Sequence, residues 1–169
     1  MATPPDRVLV GTLLRHVLEL LDGDVAKVYL EQGLPDYRPR YSPLVRVLVA
    51  TGPMSIREIA DAVGVTHSAA SQTVAQMGRA GLVTLEPGTD ARRRIVHLTA
   101  RCRDLLPVIE AEWAATTAAM DELDRELPVP LADVLIRTAQ ALRDRPFRER
   151  IADAHARACP PTGAEVTVS

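Results

Sequence analysis

Short polar side chains recur along one segment of the chain and suggest contact chemistry. They carry hydroxyl, imidazole or amide groups, and they are Thr66, His67, Ser68, Ser71, Gln72 and Gln76. Such groups donate and accept hydrogen bonds at base edges and phosphates. Asp and Glu are absent from residues 62–85, although the chain carries 22 acids. A carboxylate there would be repelled by phosphate, so the pattern predicts a DNA-binding surface.

Arginines mark a second candidate contact. Arg92, Arg93 and Arg94 follow the turn-forming pair Pro87-Gly88. Two short β-type runs, LVTLE and IVHLT, flank the turn and predict a hairpin. Guanidinium groups at a hairpin tip suit the minor groove or the DNA backbone, and we expect Asp90 to orient Arg92. The alternative is a solubilising charge cluster.

Two helices joined by a glycine turn would position the polar set. Ser55 and Glu58 have the spacing of a reciprocal capping box at the start of the first helix. Gly64 suits the left-handed turn that ends this helix, and Val65 is expected to fill the turn from inside. Thr66 is a good N-cap for the second helix. The apolar positions of that helix are Ala70, Val74 and Met77.

These residues resemble the MarR family of transcriptional regulators. The resemblance spans Ile59 to Thr99 and includes GVTHSAASQTVAQM, the GLV that follows, the Asp90-x-Arg92 spacing and the Leu98-Thr99 pair. The resemblance implies a winged helix-turn-helix fold and a homodimer that binds a pseudo-palindromic operator in double-stranded DNA. We expect this regulator to be a repressor and not an activator. Gln72 replaces a frequent arginine, which leaves the base preference open, and Cys102 replaces a frequent glycine.

The predicted fold class is mainly α with a small β-hairpin wing. In this arrangement a winged helix-turn-helix is flanked by N- and C-terminal dimerisation helices. We expect dimerisation helices in residues 1–52, the DNA-binding unit in 53–100, further dimerisation helices in 101–159 and a disordered tail in 160–169. Because 47% of the residues are hydrophobic and only 3% aromatic, we expect a core of Leu, Val, Ile and Ala.

Apolar periodicity indicates where the flanking helices lie. A long helical pattern covers Asp6 to Gln32, and Gly23 is a position where it can kink or split. Ser42 is expected to cap the next helix, whose inward residues are Val45, Leu48 and Val49. After a Thr99 cap, a long helix containing Pro107 is expected, followed by helices from near Leu131 and Pro146.

Charge is distributed unevenly along the chain, although the net charge is only −2. Residues 51–103 carry seven Lys or Arg against four acids, a net charge of +3. Residues 104–169 carry seven against twelve, a net charge of −5. The positive charge thus coincides with the segment predicted to bind DNA.

The remaining reactive side chains do not form a catalytic or metal-binding pattern. The four histidines show no metal-ligand spacing with the cysteines, and no triad, paired-carboxylate or phosphate-binding glycine motif is present in the sequence. We therefore expect no enzyme, no cofactor and no metal. The sequence also has no long apolar run or targeting signal, so we expect a soluble cytoplasmic protein without membrane contact.

Two further hypotheses concern regulation. The family often binds phenolic effectors, and His16, Tyr29, Tyr41 and Trp113, with Tyr37, are candidates for such a pocket. Packing is the alternative for each of them. Cys102 lies between Arg101 and Arg103, which makes it a candidate redox sensor or, alternatively, a small half-buried residue, whereas Cys159 is expected to be inert. A third possibility for the whole chain is a winged-helix module that binds another protein.

Overall fold

Helices make up most of residues 9–87 and 94–158, which the computed structural model describes. The helices of this part are α1 (Val10–Glu31), α2 (Ser42–Thr51), α3 (Ile56–Val63), α4 (His67–Arg79), α5 (Ala100–Glu126), α6 (Leu131–Asp144) and α7 (Phe147–Ala158). The strands are β1 (Met54–Ser55), β2 (Val83–Pro87) and β3 (Arg94–Leu98), and a 3₁₀ turn, Pro39–Tyr41, precedes α2. The predicted mainly helical winged fold is confirmed.

Local capping residues fix the two helices of the helix-turn-helix. The Ser55 hydroxyl accepts the Glu58 backbone N–H at 3.3 Å, and the Glu58 carboxylate accepts the Ser55 backbone N–H at 2.8 Å. Gly64 ends α3 with a φ of 76°, a left-handed conformation that glycine adopts without a steric penalty. Thr66 then caps α4 by accepting the Ala69 backbone N–H at 3.2 Å, as the sequence predicts.

A small antiparallel sheet follows the two helices. Its strand order is β1-β3-β2, with Val83 opposite Leu98 and Glu86 opposite Ile95. The sequence predicts β2 and β3 as a hairpin, but it does not predict β1. That strand has only two residues, so it carries no alternating pattern, and its pairing with β3 depends on residues far along the chain.

The chain divides into two compact units after Thr116, and the described core lies in the first of them. Ile59, Val74, Met77, Val96 and Ile109 are almost fully buried there. The aliphatic core that the composition predicts is present. It also contains three buried tyrosines, Tyr29, Tyr37 and Tyr41.

Three local predictions are wrong. Val65 is 41% exposed, because the backbone N–H groups of Gly64 and Val65 both bond to the Ala60 carbonyl and close the turn without a side chain. Val49 is 42% exposed, because it lies at the edge of the helix side that Leu44, Val45 and Leu48 bury. Ser42 belongs to the first turn of α2 and makes no cap, because the 3₁₀ turn leads directly into the helix.

The flanking helices agree with the predicted pattern. α1 is continuous from Val10 to Glu31, so Gly23 does not split it. Thr99 caps α5 by accepting the Cys102 backbone N–H at 3.1 Å. Within the described residues, none of the helices combines the length and the apolar character needed to cross a membrane.

The second unit contains α6 and α7. The Asp124 carboxylate accepts the Leu131 backbone N–H at 2.9 Å at the start of α6. Arg145 pairs with Asp153, and the Arg150 guanidinium donates to the Ala141 carbonyl at 2.9 Å. Neither α6 nor α7 has a buried residue. Large apolar side chains are exposed on both helices, namely Val134, Leu135, Ile136, Leu142, Phe147 and Ile151.

Candidate nucleic-acid interface

The N-terminal half of α4 presents the predicted polar surface. Thr66, His67, Ser68 and Gln72 are exposed, and Ser71 is half-buried. The opposite side of the helix packs into the core through Ala70, Val74 and Met77. Burial of that side fixes the rotation of the helix, so the exposed side chains face solvent together.

Gln76 differs from the other polar residues of α4. It is half-buried, and its Oε1 atom is buried without a hydrogen-bond partner in the part of the chain that the structure describes. An unpaired buried amide oxygen costs free energy. Because Gln76 is half-buried and Gln72 is exposed, less of the Gln76 side chain is accessible to DNA. A DNA contact of Gln76 stays a prediction.

The hairpin carries one described arginine, Arg94. Arg94 is exposed at the start of β3, opposite Pro87 on β2. Asp90, Arg92 and Arg93 lie outside the described residues, so their roles at the hairpin tip stay predictions. His97 and Glu86 lie on the paired strands with Nε2 and Oε2 3.6 Å apart.

Two side chains at the start of α5 contact the backbone just after the C-terminal end of α4. The Thr99 hydroxyl donates to the Gly81 carbonyl at 2.8 Å. The Arg101 guanidinium donates to the Ala80 carbonyl at 2.6 Å and to the Asp36 carboxylate at 2.9 Å. This role of Arg101 leaves no signal in the sequence, because Ala80 and Asp36 lie far away along the chain and no spacing marks them.

The segment that carries this interface matches a known family. Residues 36–94 match the family model described as the MarR family. Over this segment the chain is similar to the MarR family. Comparison with proteins of curated function finds no significant sequence match.

Solved structures share the MarR fold of this chain. The PcaV regulator of Streptomyces coelicolor, in complex with its natural ligand, is 19% identical with a TM-score of 0.61 and covers 86% of this chain and 99% of its own. The M. tuberculosis regulator MosR, in complex with DNA, is 20% identical with a TM-score of 0.62, covering 78% and 93%. Overoxidized AbfR bound to DNA is 17% identical with a TM-score of 0.58, covering 78% and 88%.

The predicted effector residues lie partly in the core. The rings of Tyr29 and Tyr37 meet edge-to-face at 4.8 Å, and those of Tyr37 and Tyr41 at 5.7 Å. The Ser42 hydroxyl lies within hydrogen-bond distance of the Tyr29 and Tyr37 hydroxyls. Burial raises the pKa of both phenols above its usual value. His16 is half-buried on α1.

Trp113 lies on α5 beside charged groups. The guanidinium of Arg46 lies 4.1 Å from the centroid of the Trp113 ring, a cation–π contact. The neighbouring Glu112 is 3% exposed, and its Oε1 atom accepts a hydrogen bond from the Thr116 hydroxyl at 2.6 Å. Its Oε2 atom is buried without a hydrogen-bond partner among the described residues.

Two cavities of the first unit are lined mainly by other residues. A cavity of about 240 Å³ is lined by Leu48, Val49, Gly52, Pro53, Leu98, Arg103 and Leu106. A smaller one of about 60 Å³ is lined by Gly33, Leu34, Pro35, Asp36, Tyr37, Leu82, Arg101 and Leu105. Tyr37 is the one predicted effector residue that lines either of these two cavities. The effector pocket therefore stays a prediction.

Cys102 is fully buried at the start of α5. Burial raises the pKa of its thiol, and the nearby Arg103 opposes this only in part. Thiolates are the reactive form of cysteine. The environment thus favours an unreactive thiol.

Proposed function

We propose that this chain is a sequence-specific DNA-binding transcriptional regulator of the MarR family that acts as a homodimeric repressor. The observation that carries the proposal is the exposed, acid-free N-terminal half of α4, which is followed along the chain by a hairpin with an exposed Arg94. Its proposed DNA contacts are Thr66, His67, Ser68, Ser71, Gln72 and Gln76 on the helix, and Arg92, Arg93 and Arg94, oriented by Asp90, on the hairpin. DNA-bound MosR and AbfR have the same fold.

A homodimer is supported by the apolar side chains that α1 leaves exposed. Val10, Leu14, Val17 and Leu18 are each at least 40% exposed, at helical spacings that place them on one side of the helix. We call α4 the recognition helix. A two-fold dimer presents its two recognition helices to major grooves about 34–36 Å apart, which suits a pseudo-palindromic operator. Occupancy of such a site in a promoter blocks transcription, and the protein would act in the cytoplasm.

Release by a small molecule completes the proposal. The PcaV structure contains a natural ligand, and we place the corresponding pocket of this chain near His16, Tyr29, Tyr41 and Trp113. A ligand there would act by favouring one spacing of the two recognition helices over another. Peroxide sensing through Cys102 is not part of the proposal, because that thiol is buried.

Selection from a random duplex library with purified protein tests the proposal. Fluorescence anisotropy on the enriched duplex then gives the affinity at several salt concentrations. We expect an inverted repeat and a steep decrease of affinity with salt, since Lys and Arg side chains displace counterions from phosphates. Weak binding to every duplex without an enriched motif would instead favour a module that binds another protein.

A further inference from the structure

Arg101 connects three segments that are distant in sequence. Its Nη1 atom donates to the carbonyl of Ala80, the C-cap residue of α4, at 2.6 Å. Its Nη2 atom donates to Asp36, 65 residues earlier, at 2.9 Å. Arg101 itself belongs to the first turn of α5. One planar guanidinium thus joins the end of the recognition helix, the segment between α1 and α2, and the start of α5.

This ion pair differs from the others of the described residues. Lys27–Asp24, Arg145–Asp153 and His97–Glu86 each lie within one helix, between adjacent helices or within the hairpin. The Arg101–Asp36 pair is half-exposed, with side chains that are 53% and 56% accessible. Exposed ion pairs contribute little to stability. Its distinctive property is therefore the set of segments that it joins.

The segment that carries Asp36 is itself held firmly against α1. Leu34 is 4% exposed, and its backbone N–H donates to the Tyr29 carbonyl at 2.8 Å. The Tyr37 backbone N–H bonds in turn to the Leu34 carbonyl at 3.1 Å. Asp36 is thus a fixed point relative to α1, the helix on which the proposed dimer depends.

The other contact acts where the recognition helix ends. Carbonyl groups at a helix C-terminus carry partial negative charge and favour a cation. The ideal Cβ position at Gly81, whose φ is 69°, lies 3.3 Å from the Arg101 Nη1 atom. The guanidinium is therefore packed closely against this end of the chain segment.

We propose that Arg101 is a positioning residue that fixes the tilt of α4 and thereby sets the half-site spacing that the dimer accepts. The inference rests on the proposed function. A helix of 13 residues is about 20 Å long at about 1.5 Å per residue. A tilt of about 5° at its C-terminal end moves its DNA-facing end by roughly 2 Å. The exposed reading side chains lie at that end.

The test compares operator duplexes with altered spacers. The probes are the enriched inverted repeat, the same repeat with its spacer one base pair longer or shorter, and a single half-site. The variants are Arg101→Ala, Asp36→Ala and the double variant. Arg103→Ala is the matched control, because Arg103 is an exposed arginine of the same helix. Arg103 lines the cavity of about 240 Å³. Thermal unfolding of each variant verifies that it is folded.

We expect Arg101→Ala to lower the affinity ratio between the best and the shifted spacing about fivefold, with half-site affinity unchanged within twofold. Asp36→Ala should lower the ratio less, the double variant no more than Arg101→Ala, and the control not at all. An unchanged affinity ratio, or an equal loss of affinity for the half-site and the full site, would overturn the proposed role of Arg101. Neither result would affect the proposed function. Selection that enriches no inverted repeat would overturn the proposed function and this inference with it.

Discussion

Gln72 is the side chain of α4 best suited to read a base. It is exposed on the N-terminal half of the helix, and an amide can form two hydrogen bonds with adenine. We expect Gln72→Ala to cost about 1–3 kcal/mol at one operator position and to relax the preference there. Anisotropy with the four base pairs at each operator position measures this loss.

Arg92→Ala provides the matched comparison, because a hairpin arginine is expected to contact phosphate or the minor groove. It should weaken binding to all sequences about equally and lower the slope of log affinity against log salt by about 1. An unchanged slope would remove the hairpin from the proposed interface. Gln72→Ala should leave that slope unaltered.

Cys102 is expected to resist modification because its environment disfavours the thiolate. The side chain is fully buried and its pKa is raised by that burial. In a Cys159→Ser background, a thiol reagent at pH 8 should label Cys102 only after unfolding in urea. Peroxide should leave operator binding intact, in that background and in the additional Cys102→Ser variant. Rapid labelling of the folded protein would restore the redox hypothesis.

The caps of α3 and α4 are the features that the sequence predicts most accurately. The Ser55–Glu58 box, Gly64 and the Thr66 cap all depend on residues within four positions of each other, and such local hydrogen bonds leave a spacing signal. We expect Ser55→Ala to lower the free energy of unfolding by about 1 kcal/mol. Urea denaturation measures it.

Ser68→Ala is the control for that prediction. Ser68 is an exposed serine in the first turn of the next helix, where alanine is a good helix former. Its free energy of unfolding should differ from that of the unmodified protein by less than about 0.5 kcal/mol. Equal losses in the two variants would show that the capping box adds no stability of its own.

Contacts between distant segments could not be predicted. The Arg101–Asp36 pair and the β1–β3 pairing join residues whose proximity exists only after folding. The prediction that Val49 is buried is wrong for a related reason, since its apolar side chain matches the helical pattern although 42% of it is exposed. The candidate interface was predictable because its polar residues follow one local period along α4.

The tyrosine cluster makes the stability of the first unit sensitive to alkaline pH. Burial raises the pKa of Tyr29 and Tyr37 above the ordinary value of 10.0. Above about pH 10 the unfolded chain loses phenolic protons that the folded chain keeps, so stability falls as the pH rises, by at most about 1.4 kcal/mol per pH unit for each such tyrosine.

Urea denaturation between pH 8 and pH 11 measures that slope. Tyr37→Phe removes one titrating phenol and keeps the ring in the core, so the slope above about pH 10 should become shallower by the contribution of one proton. A slope that is the same in the variant would show that Tyr37 ionises normally in the folded protein. Tyr29→Phe serves as an independent repetition.

The exposed apolar side of α1 is the surface that we expect to join two copies of the chain. Val10, Leu14, Val17 and Leu18 leave an apolar stripe exposed along α1, and a stable protein interface usually buries more than about 1,000 Å² in total. We expect the combined Leu14→Ser and Leu18→Ser variant to be monomeric by sedimentation equilibrium. Its operator affinity should fall at least about tenfold, since one recognition helix then binds without the other.

Val49→Ser is the control, because Val49 is 42% exposed and lies on α2 instead of α1. Loss of an exposed methyl pair on α2 should leave both the dimer and operator binding unchanged. If the α1 variant stays dimeric, a different surface must join the two copies, and the apolar side chains of α6 and α7 become the next candidates. If it is monomeric yet keeps full operator affinity, the two-helix reading of a pseudo-palindrome is wrong.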